Sequence, residues 1–260
     1  MASPLYATHI SLGPLQRGAV AVLAAAGALL RPQRADLVGT VAETSGVYAI
    51  RQLRDRMAAD PEGRKVLEDR PRITNASVAH CWDLPPSTFG GAYAEFMGNR
   101  NFQADDRPPV RFVDDAELAY VLTRMREVHD FWHVLFGCHT NVFGELALKG
   151  LEFVQTGVPM TGLAVVGGQF RLRPSDRATL QRVFMPWAMR AGTRCHDLVS
   201  IYYEEHFEED LDTLRSRLRI IPAPAPPPHL RMRPRMAQLP AQVEADDSVP
   251  APTPHLLGVL

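Results

Sequence analysis

The sequence predicts a mainly α-helical protein. We expect a single all-helical domain over residues 1–221, with at most a small β-hairpin, followed by a Pro-rich disordered tail over residues 222–260. Apolar residues recur at helical spacing along most of the chain, and strand signals are confined to residues 163–172. At Pro222 the composition changes, because the last 39 residues hold 10 of the 22 prolines. A segment of that composition has too little apolar surface to build a core.

The helices are expected in order along the chain, and apolar spacing marks most of them. In the second one Ile50, Leu53 and Met57 stand three and four residues apart and define one buried face. Residues 84–112 are rich in proline and glycine and predict loop and short helix. The predicted helices cover residues 15–30, 47–58, 64–69, 115–136, a segment after Asn141, 177–190 with a kink or break at Pro186, and 195–218, and the hairpin would pair 163–166 with 169–172.

Charge and cysteine content exclude several classes of protein. The formal net charge is −1, so the sequence shows no basic footprint for nucleic acid. The three cysteines are far apart and form no CxxC pair, which argues against a disulfide framework and against a cysteine zinc site. Free cysteines of this kind favour a reducing compartment.

Two apolar stretches raise the question of a membrane. Residues 18–30 are uncharged, but as a helix they would span only ~20 Å of a hydrocarbon core that is ~30 Å thick. Residues 153–170 are also uncharged, but one proline and four glycines interrupt them. We therefore expect no spanning helix, and both stretches remain candidates for contact with a bilayer surface. The N-terminus shows no transit peptide.

Two histidines occupy the apolar face of the predicted helix 115–136, for which Asp114 is the expected N-cap. At 100° per residue the apolar side chains fall within an arc of about 140°. His129 lies within that arc, His133 lies about 40° to one side of His129, and Asp130 lies about 100° from His129 on the same side. The residues that define the arc are Leu118, Val121, Leu122, Met125, Val128, Trp132 and Leu135.

These three side chains have the chemistry of metal ligands. Imidazoles at positions i and i+4 of a helix can reach one ion, and Asp130 can approach it from the side. Nitrogen and carboxylate donors suit Zn²⁺, and also Fe²⁺, Mn²⁺ or Co²⁺. Without partners, buried polar groups of this kind would each cost on the order of 1–3 kcal/mol.

Glu145 is the expected fourth ligand, and it must come from a separate helix. In one continuous helix it would lie ~18 Å beyond His133. Gly137 is a suitable C-cap, and Asn141 can cap the next helix. The turn between them would fold the chain back and return Glu145 to the two histidines.

Other interpretations of the motif do not require this set of four metal ligands. Asp130 could form a surface ion pair with Arg126, and the histidines could hydrogen-bond backbone groups in an ordinary core. A metalloprotease would need a glutamate where Asp130 stands, and a phosphohydrolase of the HD type would need an upstream histidine, for which His80 is a poor candidate. The first two interpretations stay open at this point, and the last two are disfavoured.

The chain also resembles a known family. HDFWHVLFGCHTNVFGE, residues 129–145, matches the HDxxH-x11-E signature of the coenzyme Q biosynthesis protein four family. Further blocks resemble that family in the same order along residues 5–221. They are LYATHISLGPLQRGAVAVLAAAG, ADLVGTVAETSG, DPEGRKVLEDRPRI, PPVRFVDDAELAYVLTRMREVHD, EFVQTGVPM and the segment around Tyr202, Tyr203 and Glu204.

The resemblance implies an almost entirely helical fold with His129, Asp130, His133 and Glu145 as metal ligands, zinc being the usual ion. It implies a peripheral protein on the matrix side of the mitochondrial inner membrane, within the multiprotein complex that makes coenzyme Q. The implied enzyme is a carbon–carbon lyase. It would remove the C1 carboxyl of 4-hydroxy-3-methoxy-5-polyprenylbenzoate to give 2-methoxy-6-polyprenylphenol. No residue is assigned as catalytic.

One alternative function is non-catalytic. The chain would then be a metal-stabilised scaffold that binds prenylated lipid and organises the complex, and homodimerisation stays open. If loss of the carboxyl were coupled to hydroxylation at C1, zinc alone could not take the electrons, and a redox metal or a partner enzyme would be required.

Overall fold

The computed structural model describes residues 4–30 and 34–231, and they form a helical domain, as the sequence predicts. Within those ranges the only β-type pairing is an isolated bridge between Thr88 and Asp210. The helices are α1 Pro14–Leu30, α2 Ala35–Ser45, α3 Val47–Ala59, α4 Pro61–Asp69, α5 Phe89–Gly98, α6 Ala116–Glu127, α7 His129–Phe136, α8 Val142–Thr156, α9 Pro159–Gly168, α10 Pro174–Thr179, α11 Met185–Arg194 and α12 Leu211–Arg217.

The core is built around α7 and the helices that pack near it. Every residue of α7 is buried, so this short helix runs through the interior. An aromatic cluster lies on the side of α7 that faces α5 and residues 203–207, with edge-to-face and stacked contacts typical of packed rings. Its members are Phe89, Tyr93, Phe131, Tyr203 and Phe207. Helix α8 packs against α9 and α11, and α1 packs on α2.

The predicted helix 115–136 is divided in two at Val128. The ψ angle of Val128 is −6°, which opens the regular helical ladder for one residue between α6 and α7. The N-cap is Asp115 instead of the expected Asp114, and its carboxylate accepts hydrogen bonds from the amides of Glu117 and Leu118. Asp114 instead pairs with Arg17 of α1.

The predicted hairpin is wrong, because its residues form α9 and a following 3₁₀ turn, Gln169–Arg171. Pro159 occupies the first turn of α9, where a missing amide costs nothing. A side chain at Gly168 would place its Cβ 2.5 Å from Cδ2 of Leu146. The glycine therefore permits close packing of α9 on α8, and does not mark a turn between strands.

The later predicted helices are also modified. Residues 177–190 are divided as expected near Pro186, but the junction is a π-helical turn, Leu180–Phe184. Residues 195–218 are mostly loop, with α12 at their end. The described helices include none that is long and apolar enough to cross a bilayer.

The ordered chain continues past the predicted domain boundary at residue 221. The amide of Ala223 donates to the carbonyl of Phe136 at 2.8 Å, and the Asn141 side chain donates to the carbonyl of Leu230 at 2.7 Å. These two hydrogen bonds hold residues 222–231 against the end of α7 and the start of α8. The remaining part of the predicted tail, residues 232–260, lies outside the described residues.

Candidate metal centre

The turn between α7 and α8 brings the four predicted ligands together. Gly137 ends α7 in the left-handed conformation with a φ of 68°, which glycine adopts at little cost. The Asn141 side chain caps α8 by accepting a hydrogen bond from the amide of Gly144 at 2.9 Å. Both roles were predicted from the sequence, and the reversal places Glu145 in the first turn of α8 beside the histidines.

The ligand atoms converge on one point. The Nε2 atoms of His129 and His133 lie 3.2 Å apart. The carboxylate of Glu145 lies 3.1 Å from Nε2 of His133 and 3.5 Å from Nε2 of His129. One oxygen of Asp130 lies within 4.8 Å of the histidine nitrogens. His133 is 1 % exposed, and His129 and Asp130 are each 9 % exposed. The Glu145 side chain is 36 % exposed, so the cluster reaches solvent on that side.

Three of the ligands also contact groups outside the cluster. Nδ1 of His133 lies 3.0 Å from the carbonyl oxygen of Cys138, which fixes the proton on Nδ1 and leaves Nε2 as the free donor atom. Nδ1 of His129 lies 3.2 Å from the carboxylate of Glu152. Asp130 pairs with the guanidinium of Arg107. Support of this kind is typical of metal-ligating residues.

The electrostatics of the cluster favour a positive charge at its centre. Burial alone would raise the pKa of Glu145, but hydrogen bonds to His129 and His133 hold it well below its usual value. Burial and Lys149 lower the pKa of His129, while the carboxylates of Glu145 and Glu152 more than compensate and raise it. Burial opposes ionisation of Glu152 as well, but Lys149 and His129 lower its pKa to about 2.

These residues fit a divalent ion. Two imidazole nitrogens at 3.2 Å cannot both present lone pairs to each other without a proton or a cation between them. Nitrogen and carboxylate donors from His129, His133, Glu145 and Asp130 suit Zn²⁺, Fe²⁺, Mn²⁺ or Co²⁺. The surface ion pair between Asp130 and Arg126 is not formed, because Arg126 pairs with the buried carboxylate of Glu43.

Several residues around the cluster were not found from the sequence. Arg107 comes from the loop before α6, and no local pattern connects it with Asp130. Glu152 could have been found, because it lies seven residues after Glu145 on α8 and so shares its face of the helix. Lys149, three residues before Glu152 on α8, donates a hydrogen bond to the Glu152 carboxylate at 2.6 Å.

Arg100 is a cation beside the cluster with no carboxylate partner within the described part of the chain. Its guanidinium lies 4.0 Å from the centre of the Phe96 ring, and that ring stacks on the imidazole of His133 at 5.4 Å. It donates to the Phe96 carbonyl at 2.8 Å and to the Thr140 hydroxyl at 2.9 Å. Burial lowers the pKa of Arg100, with partial compensation from Asp130 and Glu145.

Fold and site together define a class of protein: a helical domain with an HDxxH-x11-E cluster that is buried except at Glu145 and suits one divalent ion. The chain belongs to the coenzyme Q (ubiquinone) biosynthesis protein Coq4 family, whose model matches residues 6–224. The family resemblance found in the sequence is thereby confirmed, and the role of the chain lies in ubiquinone biosynthesis.

Relatives with high similarity come from fungi. A protein of Coccidioides immitis is 43 % identical over 231 residues, which cover 88 % of this chain and 80 % of that protein. A protein of Aspergillus niger is 42 % identical over 239 residues, which cover 91 % of this chain and 81 % of that protein. Both are named ubiquinone biosynthesis protein COQ4, mitochondrial.

A solved structure supports the fold. The crystal structure of a proposed ubiquinone biosynthesis protein from Nostoc punctiforme is similar, with a TM-score of 0.62 at 21 % identity. The match covers 77 % of this chain and 97 % of that one. At this identity the likeness concerns the helical architecture alone.

Proposed function

We propose that this protein is a metal-dependent decarboxylase of ubiquinone biosynthesis. Its substrate would be 4-hydroxy-3-methoxy-5-polyprenylbenzoate, and its product 2-methoxy-6-polyprenylphenol. The observation that carries the proposal is the cluster of two imidazoles and two carboxylates, buried except at Glu145, with Arg100 beside it. A cation without a carboxylate partner in the described chain suits an anionic substrate.

In this proposal His129, Asp130, His133 and Glu145 hold the ion, for which Zn²⁺ is the leading candidate and Fe²⁺, Mn²⁺ and Co²⁺ the others. The ion would supply Lewis acidity toward the substrate's oxygen atoms. Because the pKa of Glu145 is well below its usual value, this side chain is ionised and suits ligation better than proton donation. Arg100 would receive the substrate carboxylate and orient C1 toward the cluster.

The reaction balances without an oxidant. The bond between C1 and the carboxyl carbon breaks, and its electron pair stays on the ring. The para oxygen of the substrate, as the phenolate, first pushes electron density through the ring to C1, which takes up one proton. Carbon dioxide then leaves, and the electron pair of the broken bond restores the aromatic ring. The protein's task is then to orient the ring, exclude water and admit a proton at C1.

We further propose that the chain acts peripherally on the matrix side of the mitochondrial inner membrane, within the coenzyme Q biosynthetic complex. The names of the relatives include the word mitochondrial. Large apolar side chains are exposed on α1 and α9, which suits contact with lipid, a prenyl chain or a partner protein. They include Leu15, Val22 and Leu23 on α1 and Leu163 and Val166 on α9.

The test is turnover by the purified full chain with a short-chain substrate, 4-hydroxy-3-methoxy-5-prenylbenzoate. The protein is loaded in turn with Zn²⁺, Fe²⁺, Mn²⁺ and Co²⁺, and the phenol and carbon dioxide are quantified together. We expect one molecule of each per turnover with at least one metal, and none from the His129→Ala, Glu145→Ala double variant.

A second candidate function is the non-catalytic scaffold, and the exposed apolar side chains of α1 and α9 are the observation that favours it. A wild-type protein that binds metal and prenylated lipid, yet forms no phenol with any of the four ions, would support the scaffold and exclude the decarboxylase.

A further inference from the structure

Helix α8 contacts both nitrogens of the same histidine. Glu145 approaches Nε2 of His129 at 3.5 Å, and Glu152, two turns later, approaches Nδ1 at 3.2 Å. The two carboxylates stand seven residues apart and so share one face of α8. His129 is thus held between two acids of one helix, while it belongs to another.

The burial of the Glu152 carboxylate requires charged or hydrogen-bonding partners, because apolar packing does not stabilise it. It is 2 % exposed, and a buried carboxylate is costly unless it is paired. Its Oε2 atom accepts from Lys149 at 2.6 Å and is also the oxygen that lies nearest Nδ1 of His129. Lys149 keeps part of its side chain at the surface, so the three charged groups run from solvent inward to the cluster.

The orientation of the His129 ring is not fixed by a hydrogen bond at Nδ1 within the described part of the chain. Nδ1 is buried and forms no well-aligned hydrogen bond with any described residue, although Glu152 lies within ion-pair distance. A small rotation of the ring or of the carboxylate would align them. His133 is already held by the equivalent contact, from its Nδ1 to the Cys138 carbonyl.

We propose that Glu152, held by Lys149, is a positioning residue for the metal centre: it accepts the Nδ1 hydrogen of His129 and so presents Nε2 to the ion. A carboxylate acceptor also makes the ring a stronger donor to the metal than a neutral acceptor would. The inference rests on the metal centre of the proposed function, although it does not depend on which reaction that centre performs.

The test compares Glu152→Gln and the double variant Lys149→Met, Glu152→Gln with the wild type. Zinc affinity is measured by chelator competition, and the cobalt-substituted proteins are compared by their visible absorption spectra. We expect both variants to bind zinc 10- to 100-fold more weakly and to show a shifted cobalt spectrum. Glu68→Gln, an exposed carboxylate on α4, is the matched control and should change neither readout.

The double variant separates positioning from plain stabilisation. It removes the ammonium that the single variant leaves unpaired, so thermal stability of the metal-free protein should recover toward the wild type while the affinity stays weak. Full recovery of zinc affinity and of the cobalt spectrum in the double variant would overturn the positioning role of Glu152, but it would not overturn the metal centre. A wild-type protein that binds neither ion would overturn this role together with the metal centre itself.

Discussion

At the scale of single residues, Arg100 is a cation that lies beside the candidate metal centre. Arginine is among the least often buried residue types unless it is paired. Here the guanidinium is half-buried, stacks on Phe96 and has only neutral hydrogen-bond acceptors within the described chain. A substrate carboxylate would complete its hydrogen bonding and neutralise its charge.

We predict that Arg100→Gln weakens binding of 4-hydroxy-3-methoxy-5-prenylbenzoate but not of the corresponding phenol, which lacks the carboxylate. Loss of a charge-assisted hydrogen bond costs about 1.5–3 kcal/mol, which corresponds to roughly 10- to 100-fold in Kd. Isothermal titration of both ligands measures the difference. The control is Arg51→Gln, at an exposed position on α3. Equal weakening of the acid and the phenol would show that Arg100 supports the fold and not the carboxylate.

At the scale of the elements, the reversal from α7 to α8 decides whether the cluster forms. Gly144 lies in the first turn of α8, packed on the backbone that precedes it. A Cβ atom there would lie 2.1 Å from the carbonyl oxygen of His139, and backbone atoms cannot yield as a flexible side chain can. The close approach places Glu145 against the histidines.

We therefore predict that Gly144→Ala weakens zinc binding at least tenfold although all four ligands are retained. The turn and α8 must separate, which also costs about 1–3 kcal/mol of stability by overpacking. Chelator competition and thermal unfolding of the metal-free protein measure the two effects.

Gly18→Ala is the matched control for that variant, because a Cβ at Gly18 meets no atom within 4 Å. Replacing glycine inside a helix stabilises it by about 0.5–1 kcal/mol, so the control should unfold at the same or a higher temperature. Unchanged zinc affinity in Gly144→Ala would show that the turn does not control the position of Glu145.

Local patterns in the sequence predicted the parts of this site that local chemistry determines. The spacing of His129, Asp130 and His133 on an apolar face predicted their burial together, and the residue types at 137 and 141 predicted the turn. The division at Val128 was not predictable, because no glycine or proline marks it. Arg107 and Arg100 were missed because their proximity to the cluster depends on the packing of distant segments.

The incorrect prediction of a β-hairpin has a related cause. Strand signals over residues 163–166 and 169–172 predicted the hairpin, yet Pro159 begins a helix over the first segment and Gly168, between the two segments, packs against Leu146. Glycine serves turns and close helix packing equally well, and only the tertiary contact distinguishes the two. A single sequence does not contain that contact.

At the scale of the whole molecule, two of the elements that expose large apolar side chains share a neighbour. Both α1 and α9 pack against α2, and both expose large apolar residues. With a formal net charge of −1, electrostatic attraction to anionic lipid would contribute little. Attachment to a bilayer would therefore depend on apolar burial and would change little with salt.

We predict that the double variant Leu163→Glu, Val166→Glu on α9 binds vesicles of neutral phosphatidylcholine at least tenfold more weakly than the wild type. These side chains are 55 % and 59 % exposed, and removing each from the lipid would cost about 1 kcal/mol of apolar burial, so together the losses exceed one decade in affinity. Co-sedimentation at low and high salt measures the effect, and thermal unfolding confirms an intact fold.

The matched control is Val183→Glu, Met189→Glu, two apolar side chains of similar exposure next to and within α11. Equal loss in both pairs would show that binding follows total apolar surface, and binding that disappears at high salt would contradict an apolar attachment through α9.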